Sequence, residues 1–151
     1  MKFSTRIDTD LSANQLFDAT ARFERIERYL TANGVDVRRI DPAQEVGVVR
    51  GWNLTFDFRG APRDVRLVLT RHDRPQLMTL MGQGDLLDVQ IDISFIALSR
   101  SRARMMFEMD LRPRGMKARL ILQTAKLRKK RLDNKFVRRV TDFSRFMQEN
   151  L

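Results

Sequence analysis

Residues 2–10, KFSTRIDTD, alternate: Phe3, Thr5 and Ile7 share one side, and Lys2, Ser4, Arg6 and Asp8 the other. A period of two predicts a half-buried strand. The pattern then changes. Ser12 stands just before an apolar stretch, with Gln15 three residues on. That is the spacing of a capping box, in which side chains and backbone N–H groups at a helix start satisfy one another. Helices are predicted over residues 13–20, with Leu16 and Phe17 apolar, and 21–32, with Phe23, Ile26, Tyr29 and Leu30 at three- and four-residue spacing. Asn33-Gly34 ends the second, because glycine takes the left-handed conformation past a helix end without a Cβ penalty.

The middle of the chain is strand after strand. Val35–Asp41 is short and closed by Pro42. In 46–58, Val46, Val48, Trp52, Leu54, Phe56 and Phe58 share a parity, and in 64–71 so do Val65, Leu67 and Leu69. RHDRP (Arg71–Pro75) has turn chemistry. Residues 76–83 form another run, which GQGD (Gly82–Asp85) breaks. In 87–97 the apolar set is Leu87, Val89, Ile91, Ile93, Phe95 and Ala97; in 102–112 it is Ala103, Met105, Phe107, Met109 and Leu111. Short turns join these runs, as in an antiparallel meander.

After Pro113-Arg114-Gly115 the period becomes 3.6 and neither Pro nor Gly recurs. Residues 116–150 read as one helix of about 50 Å. At 100° per residue, Ala118, Ile121, Leu122, Leu132, Phe136, Val140, Phe143 and Met147 fall within about 60° of Ala125. The apolar stripe therefore runs the whole length. KLRKKRLDNKFVRRV (Lys126–Val140) holds eight basic residues and one acid, Asp133. Most of them, including Lys126, Lys130, Arg131 and Arg138, fall on the wet side. Lys129 lands inside the stripe, at about 40°. Its ammonium has three possible settings: water, if the helix overhangs the sheet; a snorkelling pose with the stem on the core; or a cavity, where it would meet an anionic group on a ligand.

Composition adds a charge asymmetry. The net charge of +10 comes from the end of the chain: residues 1–99 carry 13 basic and 14 acidic side chains, residues 100–151 carry 16 and 5. Such a surplus suits an anionic partner, a membrane surface, nucleic acid or an acidic protein, or else a solvated face. The aromatics sit on core parity rather than among the basic residues, unlike a base-stacking surface. A length of 151 residues suits one domain, residues 1–151. Such a chain buries roughly two-thirds of its unfolded surface. Cysteine is absent, so disulfide and thiolate chemistry are excluded. The start, MKFSTRIDTDLS, has no apolar core of a signal peptide, and no apolar run spans a bilayer; a cytoplasmic protein is expected.

Strand, two short helices, about six antiparallel strands, one long C-terminal helix: this order resembles the helix-grip fold of the START/Bet v 1-like (SRPBCC) superfamily, over the whole chain. The opening strand followed by SANQLFDATARFERIERYL (Ser12–Leu30) looks most like its polyketide cyclase/dehydrase and lipid-transport branch. The glycine-rich loop near the third strand of plant members is missing: DPAQEVGVVRG (Asp41–Gly51) has only two glycines. The resemblance implies an α+β domain, a curved antiparallel sheet of about seven strands wrapped around the C-terminal helix. It also implies an apolar cavity between the two for a lipid or other hydrophobic molecule, with cyclisation or dehydration in some members.

Strand parity alone does not decide whether the inward residues fill a core or line such a cavity. With the resemblance, an enclosed pocket is expected, lined by Trp52, Phe56, Met81, Phe95, Met105, Phe107 and Met109. The methionines suit varied apolar shapes, and Lys129 is the candidate contact for an acidic head. Catalytic signals are poor. The sole histidine, His72, falls in a predicted turn, and one His without Cys builds neither a zinc site nor a nucleophile–base pair. No catalytic residue, metal ligand or cofactor is expected. The alternatives are a polyanion module, using the basic helix face with Arg100, Arg102 and Arg104, and a cyclase- or dehydratase-type enzyme.

Overall fold

The computed structural model describes residues 1–44, 50–58 and 60–149. In chain order the elements are β1 (Lys2–Thr9), α1 (Ala13–Thr20), α2 (Phe23–Ala32), β2 (Asp36–Arg39), β3 (Gly51–Phe58), β4 (Ala61–Asp73), β5 (Leu77–Gly84), β6 (Leu87–Ala97), β7 (Ala103–Pro113), α3 (Gly115–Lys126) and α4 (Lys129–Gln148). The strands make one antiparallel sheet in the order β1-β7-β6-β5-β4-β3-β2. The first strand closes the meander by pairing with the last, Phe3 opposite Met109 and Ile7 opposite Met105. This is the α+β helix-grip arrangement, with two short helices after the first strand. Val46 and Val48, at the start of the third predicted strand, lie outside the described residues.

Local chemistry sets the first half. The Ser12 side chain accepts from the Gln15 amide (3.1 Å), and the Gln15 side chain accepts from the Ser12 amide (3.0 Å), completing the capping box. Gly34, at φ +88°, lets the chain reverse after α2, and the Val35 amide reaches back to the Leu30 carbonyl (3.0 Å). Leu16 and Phe17 of α1 are buried against Met78, Ile93, Phe95, Ala103, Met105 and Val140. Phe17 meets Phe95 edge-on at 5.1 Å between ring centres. This dense cluster is the core proper, at one end of the sheet.

Two strands outrun their predicted limits. β4 continues through Arg71 and His72 because a bulge at Thr70 lets it stay paired with β5. Past that extra residue His72 stands opposite Met78 and its ring lies 5.0 Å from that of Phe17. His72 is thus a strand residue against the core aromatics, although still exposed. In β5, GQG does not break the strand. Gly82 is needed in it, because a Cβ there would run into the side chains of Val65 and Val89 on the flanking strands.

The C-terminal helix is not one rod. It breaks at Leu127-Arg128, whose amides turn to the carbonyls of Thr124 (3.2 Å) and Ala125 (2.9 Å) before the ladder resumes with Leu132 donating to Arg128 (3.0 Å). Neither proline nor glycine causes the break. The two halves rest on neighbouring strands, α3 on β7 and α4 on β1.

Candidate functional site: an apolar cavity between sheet and helices

Beyond the core cluster the helices stand off the sheet. Aromatic pairs hold them there. On one flank Phe136 of α4 rests on Phe3 (5.4 Å) and Phe107 (5.8 Å). On the other, Tyr29 of α2 meets Phe143 (5.6 Å) and Phe146 (5.3 Å) of α4. Between these supports lies a cavity of about 890 Å³. The sheet supplies Trp52, Leu54, Leu67, Leu80, Ile91, Ile93, Phe107, Met109 and Leu111; α3 and α4 supply Ile121, Leu122, Leu132, Val140 and Phe143. Its exposed lining residues are Asn33, Phe58, Thr124, Arg128, Lys135 and Arg139. The cavity therefore opens to solvent between α4 and the end of α2, and is not the enclosed pocket expected.

The polar groups are few. Glu27 of α2 is the only carboxylate among the described lining residues. Both its oxygens accept from Arg39 Nε (2.8 and 3.1 Å), and Oε1 also accepts from Trp52 Nε1 (3.1 Å). Burial works against its charge, but these two donors, with the charges of Arg39 and Arg50, outweigh burial and hold its pKa below the usual value. The carboxylate stays ionised and fixes the Trp52 indole as part of the cavity wall. Tyr29, whose ring also lines the wall, has its pKa raised, first by burial and then by Asp142. No cluster of three or more His, Cys, Asp or Glu among the described residues could hold a metal ion.

The structure brings together three of the predicted site residues, Trp52, Phe107 and Met109, in this lining. Phe95 and Met105 face the same side of the sheet, but α1 covers them, so they are core side chains, 4% and 1% exposed. Phe56 is half-buried and shares the parity of Trp52 and Leu54 without being a lining residue. Met81 is on the wrong face. Leu80 pairs with Leu69 and Ile91, which fixes the even residues of β5 inward and leaves Met81 40% exposed. The apolar run LMTLM holds apolar residues of both parities and so did not reveal its inward side. Lys129 does not enter the cavity either. It pairs with Asp133 one turn on and its ammonium lies 4.3 Å from the centre of the Phe3 ring. A nearby carboxylate and an aromatic face satisfy the charge at the helix flank.

Several lining residues were not anticipated. Phe23, Ile26, Tyr29 and Leu30 of α2 were legible as an apolar helix face, but not as a cavity wall. Lys135 and Arg139 were read on the basic face and Arg128 was given no place of its own, yet all three edge the opening. At 100° per residue these three fall about 40–80° from Ala125, all on the same side of it, along one margin of the apolar stripe. Of Arg100, Arg102 and Arg104, the basic residues grouped with the helix face, the last two pair with Asp10 (3.6 Å) and Asp8 (2.7 Å).

No family model matches the chain, and no curated protein matches it. Solved structures do. A truncated norcoclaurine synthase from Thalictrum flavum is 10% identical, with 100% of this chain and 95% of that one covered at a TM-score of 0.69. The Zhui aromatase/cyclase from a Streptomyces species is 12% identical, with 99% and 92% covered at 0.63. A START superfamily protein from Mycobacterium smegmatis is 14% identical, with 89% and 95% covered at 0.53. With the sheet order and the helix placement described above, these likenesses identify the fold as a helix grip like that of START and Bet v 1-like proteins.

Proposed function

We propose that this protein binds a hydrophobic or amphipathic small molecule in the cavity between sheet and C-terminal helices. The observation that carries the reading is the cavity itself: about 890 Å³, walled by aliphatic and aromatic side chains and open at one edge. Ligand sites are typically about 300–1,000 Å³, mostly apolar, with a few polar groups for orientation. The structural neighbours include an aromatase/cyclase and a norcoclaurine synthase, which supports a small-molecule site on this fold. A cyclase- or dehydratase-type reaction is less favoured, because the described lining offers one carboxylate, already engaged by Arg39 and Trp52. The predicted contacts narrow to Trp52, Phe107 and Met109, joined by Leu80, Ile91 and Phe143. Native mass spectrometry of gently purified protein is expected to show an added mass that organic extraction removes. Protein without added mass, together with no displaceable neutral dye, would sink the reading.

A second surface supports a membrane partner. The outer side of α3 and the break expose Met116 (70%), Leu120 (58%) and Leu127 (87%). At 100° per residue these three share one face, opposite the buried stripe. Arg119, Lys126, Lys130 and Arg131 flank them, all exposed. Apolar side chains between cations fit an anionic lipid surface better than a nucleic acid, which needs aromatic stacking or groove contacts. Sedimentation with vesicles is expected to show binding to phosphatidylserine-containing membranes and not to neutral ones. Salt should weaken it, and Leu127→Ser as well. Retention on duplex DNA with no response to Leu127→Ser would point to nucleic acid instead.

A further inference from the structure

The charged residues at the cavity opening are of one sign. Arg128, Lys135 and Arg139 edge it, and the single lining carboxylate, Glu27, is neutralised by Arg39. Several arginines elsewhere find acids: Arg74 with Asp18 (2.7 Å), Arg104 with Asp8 (2.7 Å), Arg112 with Asp110 (3.3 Å). At the opening they do not. Arg128 and Lys135 have no ion pair or side-chain hydrogen bond among the described residues. Arg139 has only the Asn33 side-chain oxygen, at 3.4 Å.

Asn33 is itself tied down. Its amide nitrogen donates to the Tyr29 carbonyl at the end of α2 (2.8 Å), so its oxygen faces Arg139 from a fixed position. Lys135 and Arg139 are four residues apart on α4, hence neighbours on one helix face. Arg128 lies seven residues before Lys135, on the same edge. Glu27 is six residues from Asn33 along α2, about 9 Å away by helical rise. The opening therefore holds a cationic pair with unused donors, next to an apolar volume; the one lining carboxylate is set back and already paired, and Asp142, outside the lining, acts on Tyr29 from the far side of Arg139 in sequence.

We infer that the ligand carries an acidic head, a carboxylate or phosphate, seated at the opening between Lys135 and Arg139, with its apolar body in the cavity. Arg128 adds to the same positive field, and Asn33 positions Arg139. The inference rests on the ligand-binding reading above and names the ligand class for that same site. Guanidinium offers a planar fork that matches a carboxylate or phosphate edge, and Lys135 supplies a second charge one turn away. Lys129, the cation the sequence singled out for this task, is excluded by its pairing with Asp133.

The test is displacement of the neutral dye phenylnaphthylamine by lauric acid and by lauryl alcohol, equal in chain length and different in head. Wild-type protein is expected to prefer the acid by roughly tenfold at low salt, the effect of one good charge-assisted contact. The preference should shrink as salt screens it. Lys135→Gln/Arg139→Gln is expected to remove the preference by lowering affinity for the acid far more than for the alcohol. Lys126→Gln/Arg131→Gln removes the same charge from the outer face and should keep the preference. Equal affinities for acid and alcohol in the wild type would overturn the inference while the binding reading stands. So would a preference that survives the first variant or is lost equally in the second. If neither probe displaces the dye and the dye itself does not bind, the binding reading falls and the inference with it. Inorganic phosphate competing against the acid and not the alcohol would favour a phosphate head; the absence of competition would favour a carboxylate.

Discussion

Leu80→Trp/Ile91→Trp is expected to lose ligand binding by more than tenfold and to stay folded. The two residues pair across β5 and β6 on the cavity floor, and both are half-buried. In a close-packed core an enlarged side chain forces neighbours off their rotamers, at about 1–3 kcal/mol for each substitution. Here each indole has empty volume to enter. The expected cost is therefore below that range, and the added apolar contact partly offsets the strain. Dye titration and urea unfolding, measured together, separate the two cases. Loss of binding with a nearly unchanged urea midpoint marks a real cavity. A midpoint lowered as for an overpacked core means the side chains already fill that space in solution, and the proposed site would not exist.

The same contrast explains what the sequence could say. Alternation was enough for β6 and β7, whose predicted and observed limits differ by a residue or none, because apolar and polar side chains alternate along nearly the whole of both. The capping box and Asn33-Gly34 located α1 and α2 because those signals are local. Three features were not local. The inward side of β5 depends on its register with β4 and β6, since both parities of LMTLM are apolar. The helix break at Leu127-Arg128 has no glycine or proline to announce it. Most of all, strand parity tells which side chains face the helices, but not which helix covers them. Phe95 and Phe107 share a side of the sheet; α1 lies over the first and the cavity over the second. Separating core from lining takes the third dimension.

Charge followed the same rule. The excess of basic residues was legible by counting, and its division was not. Residues on the outer face of α3 stand around exposed leucines. Arg128, Lys135 and Arg139, a few tens of degrees nearer the apolar stripe, edge the opening. Lys129, on the other side of the stripe, is turned to Phe3 and Asp133. A helical wheel ranks these positions by angle. Only the contacts of each turn decide which of them serves a ligand.

Replacing Arg25 by methionine is expected to destabilise the fold by about 2–4 kcal/mol. Arg25 projects from α2, is 5% exposed, and donates to the carbonyls of Met147 (3.2 Å) and Phe146 (2.7 Å) in the last turn of α4. Its guanidinium also lies 5.5 Å from the centre of the Phe146 ring. Two effects oppose each other. Burial, and then the charges of Arg22 and Arg28, lower its pKa and disfavour the cation. Against them, the end of a helix leaves carbonyls without intrahelical partners and carries partial negative charge, and hydrogen bonds from a charged donor contribute about 1.5–3 kcal/mol. The gain wins here because one side chain satisfies two carbonyls at once and needs no buried counter-ion. Methionine matches the bulk and leaves both carbonyls unpaired. Lysine keeps the charge but lacks the fork, so Arg25→Lys should fall between the two. Because α2 and α4 flank the cavity opening, the loosened contact should also speed ligand release. Stopped-flow dissociation of the dye from Arg25→Lys should be faster than from wild type, and hydrogen exchange should rise in residues 143–149. Urea unfolding decides the main point. A methionine variant as stable as wild type would show that the desolvated charge is a liability and that the last turn of α4 is held by Tyr29, Phe143 and Phe146 alone.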